Sequence, residues 1–449
     1  APSRGLGDVY KRQLKMKQLT RLFIPICLET LFYMLSGMVD TLMLSAVGDY
    51  AVGAVGTANS YIGIFIIMFS IISSGMVSVM TQNIGAGRPG VAYQARQLGL
   101  LFNAVAGVLM AVFLFSGAGA ILRMVGIADA LYEPALIYLK IVGGGCILNA
   151  VIPIFSSYLR AFGYTKQPLY ATIVGNIANF VMNAVFLFVL HKGVAGVATA
   201  TVISKILNLC IVLYFSHKLI SAKNSTERIA NKTVLGQIVK VGLPSACETA
   251  LYNVAMMLVI RFLNQMDAEG LNVTARSYTA TISNFSYCVG AALAQANAIM
   301  TGWHIGAGEL EECDRGTKRA AFVGVCVAVC METAIVLGSG FIMPLFTDNP
   351  EMTVLVRKLL AIDIVLEIGR VTNLVFGQAL KTSGDAVFPA VIAAVFMFVF
   401  AVGGTWLFGI SMGLMAVGAY IGLASDECVR AVGMVWRWKT GKWRTKKLV

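Results

Sequence analysis

The sequence predicts an all-α integral membrane protein, with twelve transmembrane helices in two six-helix lobes related by a pseudo-two-fold axis along the membrane normal. Three observations lead there. Of 449 residues, 58% are hydrophobic and only 13% charged, with mean hydropathy +0.78, whereas soluble domains carry about 25% charge. Apolar runs recur that are long enough to cross a bilayer, which takes about 20 helical residues. The chain also repeats itself at a spacing of about 220 residues, far too long for a solenoid unit. Pro25-Ile26-Cys27-Leu28-Glu29 returns as Pro244-Ser245-Ala246-Cys247-Glu248, and Ile84-Gly85-Ala86-Gly87 as Ile305-Gly306-Ala307-Gly308. Leu159-Arg160, Gly163 and Pro168 return as Leu380-Lys381, Gly384 and Pro389, and Gly193 and Val197 as Gly413 and Val417.

The spans fall in order near 20–44, 51–80, 91–118, 131–160, 167–190 and 194–217, then 235–265, 271–302, 317–343, 352–380, 387–410 and 413–436. An even number of spans per half gives both halves the same orientation in the membrane. Residues 16–217 form the N-lobe, 218–234 a polar cytoplasmic linker, 235–436 the C-lobe, and 437–449 a basic cytoplasmic tail. Residues 1–15 are polar and aperiodic and read as a leader outside the fold; no cleavable signal peptide is expected. The two Ile-Gly-Ala-Gly elements read as tight turns. As phosphate loops they would lack both the spacing and the following Lys-Ser/Thr.

The net charge of +13 follows topology. With the N-terminus cytoplasmic, the inner segments hold most bases, from Lys11, Arg12 and Arg21 through Arg88, Arg96 and Lys218 to the cluster Arg437–Lys447, and the outer loops hold few, such as Arg123 and Lys192. That asymmetry places both termini in the cytoplasm of a multi-pass protein of the cell (inner) membrane. It accounts for the charge without nucleic acid, for which no zinc spacing or aromatic-basic face is present. Nine cysteines without a CxxC pattern read as packing thiols. An enzyme is not expected, because His191, His217 and His304 all sit at span ends.

Charges inside apolar spans are costly and mark candidate sites. On the first span Glu29, Tyr33, Ser36 and Asp40 share one helical face. The seventh span repeats Glu248 and Tyr252, but Ala255 and Val259 replace Ser36 and Asp40. We therefore read Glu29 and Glu248 as architectural and Asp40 as the chemically active carboxylate, against the alternative that Asp40 is simply solvated at the outer interface. On the tenth span Asp363, Glu367, Arg370 and Asn373 share a face, with Glu367 in reach of Arg370. That pair serves either packing or substrate and ion binding. Asn176, Asn179 and Asn183 share a face of the fifth span, and Thr199 and Thr201 begin the sixth. These amides and hydroxyls either glue helices together or join Asp40 in holding a cation. Lys205 awaits a partner, and Asp426, Glu427 and Arg430 read as an inner-end structural cluster.

These residues resemble the multidrug and toxic compound extrusion (MATE) family of cation-coupled antiporters over about residues 17–443. The resemblance rests on Val39-Asp40-Thr41, the paired Pro-x-x-x-Glu openings, Gln82-Asn83-Ile84-Gly85-Ala86-Gly87, Leu159-Arg160-Ala161-Phe162-Gly163, Glu367-x-x-Arg370-x-x-Asn373 with Gly384-Asp385, and Arg437-Trp438-Lys439-Thr440-Gly441-Lys442-Trp443. It implies two six-helix lobes around a central cavity, alternating access, and extrusion of organic, often cationic, drugs against H⁺ or Na⁺. It also implies that Asp40 and Asn179 belong to an N-lobe cation site. The chain departs from the family at Asn183, where many members carry aspartate.

The expectation is thus an antiporter, acting as a monomer without cofactors, whose coupling ion is H⁺ or Na⁺ held by Asp40, Asn179, Asn183 and Thr201. As a metal site, Asp40, Asn179 and Asn183 would take Na⁺. Only the N-lobe is expected to retain an ion-trapping carboxylate. Polar residues of substrate, gating or structural importance are Glu29, Tyr33, Glu248, Tyr252, Asp363, Glu367, Arg370 and Asn373. The alternative is a flippase for a lipid-linked saccharide, which would want a strongly basic cavity.

Overall fold

A computed structural model of the chain describes residues 2–124, 127–220, 227–267 and 270–449. The linker residues 221–226 lie outside that set. Thirteen α-helices are present among the described residues: α1 Pro2–Ser45, α2 Asp49–Gly85, α3 Pro89–Met124, α4 Asp129–Gly144, α5 Cys146–Ala161, α6 Lys166–Ala184, α7 Gly193–Leu219, α8 Asn231–Met266, α9 Leu271–Gly306, α10 Leu310–Ile342, α11 Pro350–Ser383, α12 Val387–Phe396 and α13 Met415–Lys439. They supply the twelve anticipated spans with one break. Residues 131–160, expected as a single span, form α4 and α5, bent by 41° at Gly145. Gly143, Gly144 and Gly145 stand in succession there, and glycine holds a helix weakly. The backbone of residues 2–15, read from sequence as a leader, is helical and continuous with α1.

The chain divides into two compact units, Thr20–Gly242 and Leu243–Val449, the latter together with the first nineteen residues, and the second boundary falls inside α8 next to Pro244. Each has its own apolar core. The first packs Leu44, Ala54, Ile62, Leu114, Leu139 and Val197. Asn103, buried on α3, donates to the Phe69 carbonyl at 3.3 Å and the Ala150 carbonyl at 3.0 Å, so one amide ties α2, α3 and α5 together. The second packs Val259, Ile282, Val356, Leu360, Leu366 and Tyr420. Val259 and Ala255, which stand where the first copy has Asp40 and Ser36, are fully buried in apolar clusters.

The repeated glycines have a physical reason. Gly87 and Gly308 end the two Ile-Gly-Ala-Gly elements with φ of +73° and +78°, and Gly163 and Gly384 follow α5 and α11 with φ of +85° and +98°. Only glycine enters that left-handed region without a Cβ penalty, so both elements are helix-ending turns. The fifth and eleventh spans repeat another feature, since both lose α-helical winding to π-helix, over Val185–Val189 in one and over Met397–Val402 and Thr405–Ser411 in the other.

The basic segment after α13 packs onto its own lobe. Trp438 and Trp443 stack at 4.2 Å between ring centroids. The indole of Trp438 donates to Asp314 at 2.7 Å, and Arg437 pairs with Asp385 at 2.7 Å.

Among the described residues, eight helices are long and apolar enough to cross a membrane, and α4 with α5 would make a ninth. Helices α9, α11 and α13 are not among them; of these, α11 carries Asp363, Glu367 and Arg370, and α13 carries Asp426, Glu427 and Arg430. They are held close by a missing side chain. A Cβ on Gly369 of α11 would stand 2.7 Å from the Cys428 nitrogen and 2.8 Å from the Glu427 carbonyl carbon of α13. We therefore expect Gly369→Ala to cost about 1–3 kcal/mol through overpacking. A lowered unfolding midpoint in detergent checks it, with Gly433→Ala as control because its nearest neighbour would be Ile392 Cγ2 at an ordinary 3.6 Å.

Candidate functional site

In the first lobe α1 and α6 bring the anticipated residues together. Asp40 points toward its own bundle, where its Oδ1 accepts a hydrogen bond from the Asn183 amide at 2.8 Å. The same amide nitrogen donates to Asn179 Oδ1 at 3.1 Å. Asn183 is fully buried and sits two residues before the π-helical stretch, a local rewinding frequently found at functional positions. Its carbonyl oxygen has no hydrogen-bond partner among the described residues. One amide nitrogen is therefore shared between the Asp40 carboxylate and the Asn179 oxygen, and the Asn183 oxygen is left unused beside them. Asn176 fixes the register of the two helices by donating to the Phe32 carbonyl at 2.9 Å.

Other expectations divide. Thr201 spends its hydroxyl proton on the Val197 carbonyl at 2.9 Å, leaving oxygen lone pairs, and it lies beside Tyr138, which also neighbours Asn59 and Asp40. Tyr33 is 73% exposed, so the stripe on α1 does not converge on one point. Lys205 donates to Asn149 Oδ1 at 2.8 Å, an amide rather than an acid, while remaining in the field of Asp40. Sequence reasoning missed Tyr138, Asn59 and Asn149 because none of them is charged, and charge inside an apolar span is the main signal followed.

Glu29 and Glu248 occupy equivalent places in the duplication, and so do their partners. Arg160 reaches Glu29 at 2.6 Å, and Lys381 reaches Glu248 at 2.8 Å. The repeated Leu-Arg and Leu-Lys dipeptides thus hold the repeated glutamates, each pair within its own lobe. That symmetry is what an architectural role requires.

The second lobe holds a cavity of about 470 Å³ lined by Glu248, Tyr252, Asp363, Arg370, Asn373 and Arg430, among others. The face expected on the tenth span is real: Arg370 forms an ion pair with Glu367 and stands 3.8 Å from Glu427, while Asn373 donates to Glu427 at 3.0 Å. Arg430 reaches Asp426 at 2.7 Å and Glu427 at 2.8 Å. The Asp426–Glu427–Arg430 group, read from sequence as an inner-end cluster, therefore joins Arg370 at a buried cavity wall. Helix α13 meets α11 through this group, since Asn373 and Arg370 of α11 both reach Glu427.

Two similar lobes, each built of membrane-length helices around buried polar clusters, define a multi-pass membrane transporter. The sequence profile of the MatE family matches residues 25–185 and 244–407, two segments that begin at the repeated prolines Pro25 and Pro244. The chain belongs to the MatE family. It is 32% identical over 428 residues to the uncharacterized transporter YisQ of Bacillus subtilis, covering 94% of each chain. It is 20% identical to a probable multidrug resistance protein NorM of Thermotoga maritima, covering 96% of this chain and 94% of that one. Its fold matches a structure described as the outward-facing conformation of a multidrug resistance MATE family transporter, with TM-score 0.82 at 21% identity over 95% of this chain and 96% of the other. The protein is thus a transporter and not an enzyme, residing in a lipid bilayer and acting on small molecules.

Proposed function

We propose that the protein is a secondary active antiporter that extrudes organic cations, drugs or toxic compounds, across the cell membrane in exchange for H⁺ or Na⁺ by alternating access. The observation that carries this reading is the Asp40 carboxylate turned into its lobe against Asn183 and Asn179. A carboxylate held by amides inside an apolar bundle is a place where an entering cation, or a proton, changes the charge of the helix packing around it. Coupling follows if the ion favours the conformation that binds drug weakly, because only differential binding shifts an equilibrium. The names of the relatives point the same way, as does the membership of the family. On this reading the protein works as a monomer with both termini in the cytoplasm and needs no cofactor beyond the coupling ion.

A saccharide-lipid flippase fits less well. Three of the four bases lining the second lobe's cavity are matched by acids, Lys381 by Glu248, Arg430 by Asp426 and Arg370 by Glu367, while Arg276 has no acid partner among the described residues. An anionic pyrophosphate carrier would want them free.

Efflux of a fluorescent organic cation from proteoliposomes, with pH and Na⁺ gradients imposed separately, tests the proposal. Acceleration by one of the two gradients over matched controls is expected. Efflux indifferent to both would sink it.

A further inference from the structure

Most interior bases of this chain face an oxygen. Arg160 has Glu29, Lys381 has Glu248, Arg430 has Asp426, and Lys205 has the Asn149 carbonyl. Arg96 of α3 does not. It is 7% exposed, and among the described residues it makes neither a hydrogen bond nor an ion pair, its Nε being buried without a partner. What surrounds it is aromatic: Cζ stands 4.5 Å from the ring centroid of Tyr93, 5.2 Å from that of Tyr158 and 5.4 Å from that of Phe155. The hydroxyl of Tyr158, a residue 1% exposed, has no partner either.

Aromatic faces attract the charge, but they do not take up the N–H donors that fan out in the plane of a guanidinium. A charged group held out of water without acceptors is costly. The chain offers none nearby. Gln94, on the same part of α3, holds the Ile229 carbonyl and Asn231, and the adjoining linker residues 221–226 contain no acid.

The second copy fills the equivalent place from within. At the spacing that carries Ile84 to Ile305 and Leu159 to Leu380, Tyr93, Arg96, Phe155 and Tyr158 correspond to Asp314, Thr317, Phe376 and Ala379. Trp438 occupies that position, with its ring 5.9 Å from Phe376 and its indole donating to Asp314 at 2.7 Å. Thr317 lies 3.4 Å from the Thr301 hydroxyl. An acid there receives a donor from the chain itself. In the first copy the acid is replaced by Tyr93, a base stands one turn further on, and no acceptor answers it.

Charge and shape name the complement. A guanidinium fork meets two oxygens of one oxyanion in its own plane, the match it makes with carboxylate or phosphate. The Tyr158 hydroxyl adds a donor for a third oxygen, which a phosphate has and a carboxylate lacks. We infer that Arg96 and Tyr158, walled by Tyr93 and Phe155, form a phosphate-binding site in the first lobe, at the end that carries Gly87. The phosphate belongs either to a phospholipid headgroup, for whose chains the exposed Leu101, Val105 and Leu109 lie farther along α3, or to a soluble anion. Held there, it ties α3 to α5 and uses none of the residues around Asp40.

The test uses the full chain in detergent. Unfolding midpoints are followed against potassium phosphate, with potassium chloride holding ionic strength constant, and separately against phosphatidylglycerol in mixed micelles, with a neutral diacyl glycolipid as control. A ligand of the folded state raises the midpoint in a saturable way, whereas a merely excluded salt raises it without saturation. The expected result is a saturable rise with phosphate or with phosphatidylglycerol, the effective one naming the source, and loss of that rise in Arg96→Met, which keeps much of the side chain's length and removes its donors. No saturable rise in the unaltered protein, or one that persists in Arg96→Met, overturns the inference. Should Arg96→Met fail to fold, Tyr158→Phe takes its place, because it deletes only a hydroxyl that has no partner. It is expected to weaken the apparent affinity about three- to tenfold, the worth of one hydrogen bond, and an unchanged affinity overturns the site.

Discussion

Asp40→Asn should abolish ion-driven efflux of an organic cation while leaving the protein folded. The substitution is isosteric, and an asparagine carbonyl at the position of Oδ1 still accepts the hydrogen bond that Asn183 now gives at 2.8 Å. Replacing one hydrogen-bonded acceptor by another costs under about 1 kcal/mol, so the unfolding midpoint should scarcely move. What disappears is the charge. Without it the site has amide and hydroxyl oxygens but nothing that a proton titrates or that balances a cation. A coupling free energy of 1–3 kcal/mol corresponds to about 5–150-fold in affinity between the two conformations, and losing it should slow gradient-driven efflux by one to two orders of magnitude. Downhill leakage of the same dye without a gradient should persist. Full coupling in the mutant would remove Asp40 from the mechanism.

The duplication was legible because it is written in residues with strict backbone or charge requirements. Gly87 and Gly308, and Gly163 and Gly384, recur since each turn needs a positive φ, and such positions tolerate little else. Glu29 with Arg160 and Glu248 with Lys381 recur since a buried charge cannot change alone. Periodicity also placed Asp40 correctly, because a polar residue on the apolar face of α1 must turn to protein. It failed for Tyr33, which shares the angle but is exposed.

The second lobe was harder to read. Glu332 is isolated in an apolar span and lies far in sequence from Asp363 and Glu367, whose carboxylate oxygens come within 4.8 Å of its own, so no single-helix pattern joins them. The expectation that only the N-lobe retains an ion-trapping carboxylate compared equivalent positions, Asp40 against Val259. The acids of the second lobe stand on other helices, where that comparison does not look. The break between α4 and α5 was overlooked for a related reason: three glycines inside an apolar run do not interrupt hydropathy, although they interrupt the helix.

Arg370→Met should be among the most damaging single substitutions in the protein. The guanidinium forms the ion pair with Glu367, which has a fully buried side chain, and lies 3.8 Å from Glu427 on a neighbouring helix. Methionine keeps much of the volume and removes the charge, leaving two carboxylates facing each other near Asp363. Breaking a buried pair by deleting one partner costs about 3–5 kcal/mol, mostly from the charge left behind. Arg370→Lys should recover little, because a point charge on a flexible stem does not span two acids as a planar fork does. Glu367→Gln, added to Arg370→Met, should recover much of the loss by removing the orphaned charge, with a coupling energy of about 1–3 kcal/mol between the two positions. Unfolding midpoints of the four proteins in detergent measure it. Simple addition of the two single effects would mean that the pair stands in contact without energetic interdependence, and the stability of α11 against α13 would then have to come from the close approach at Gly369 and its apolar neighbours alone.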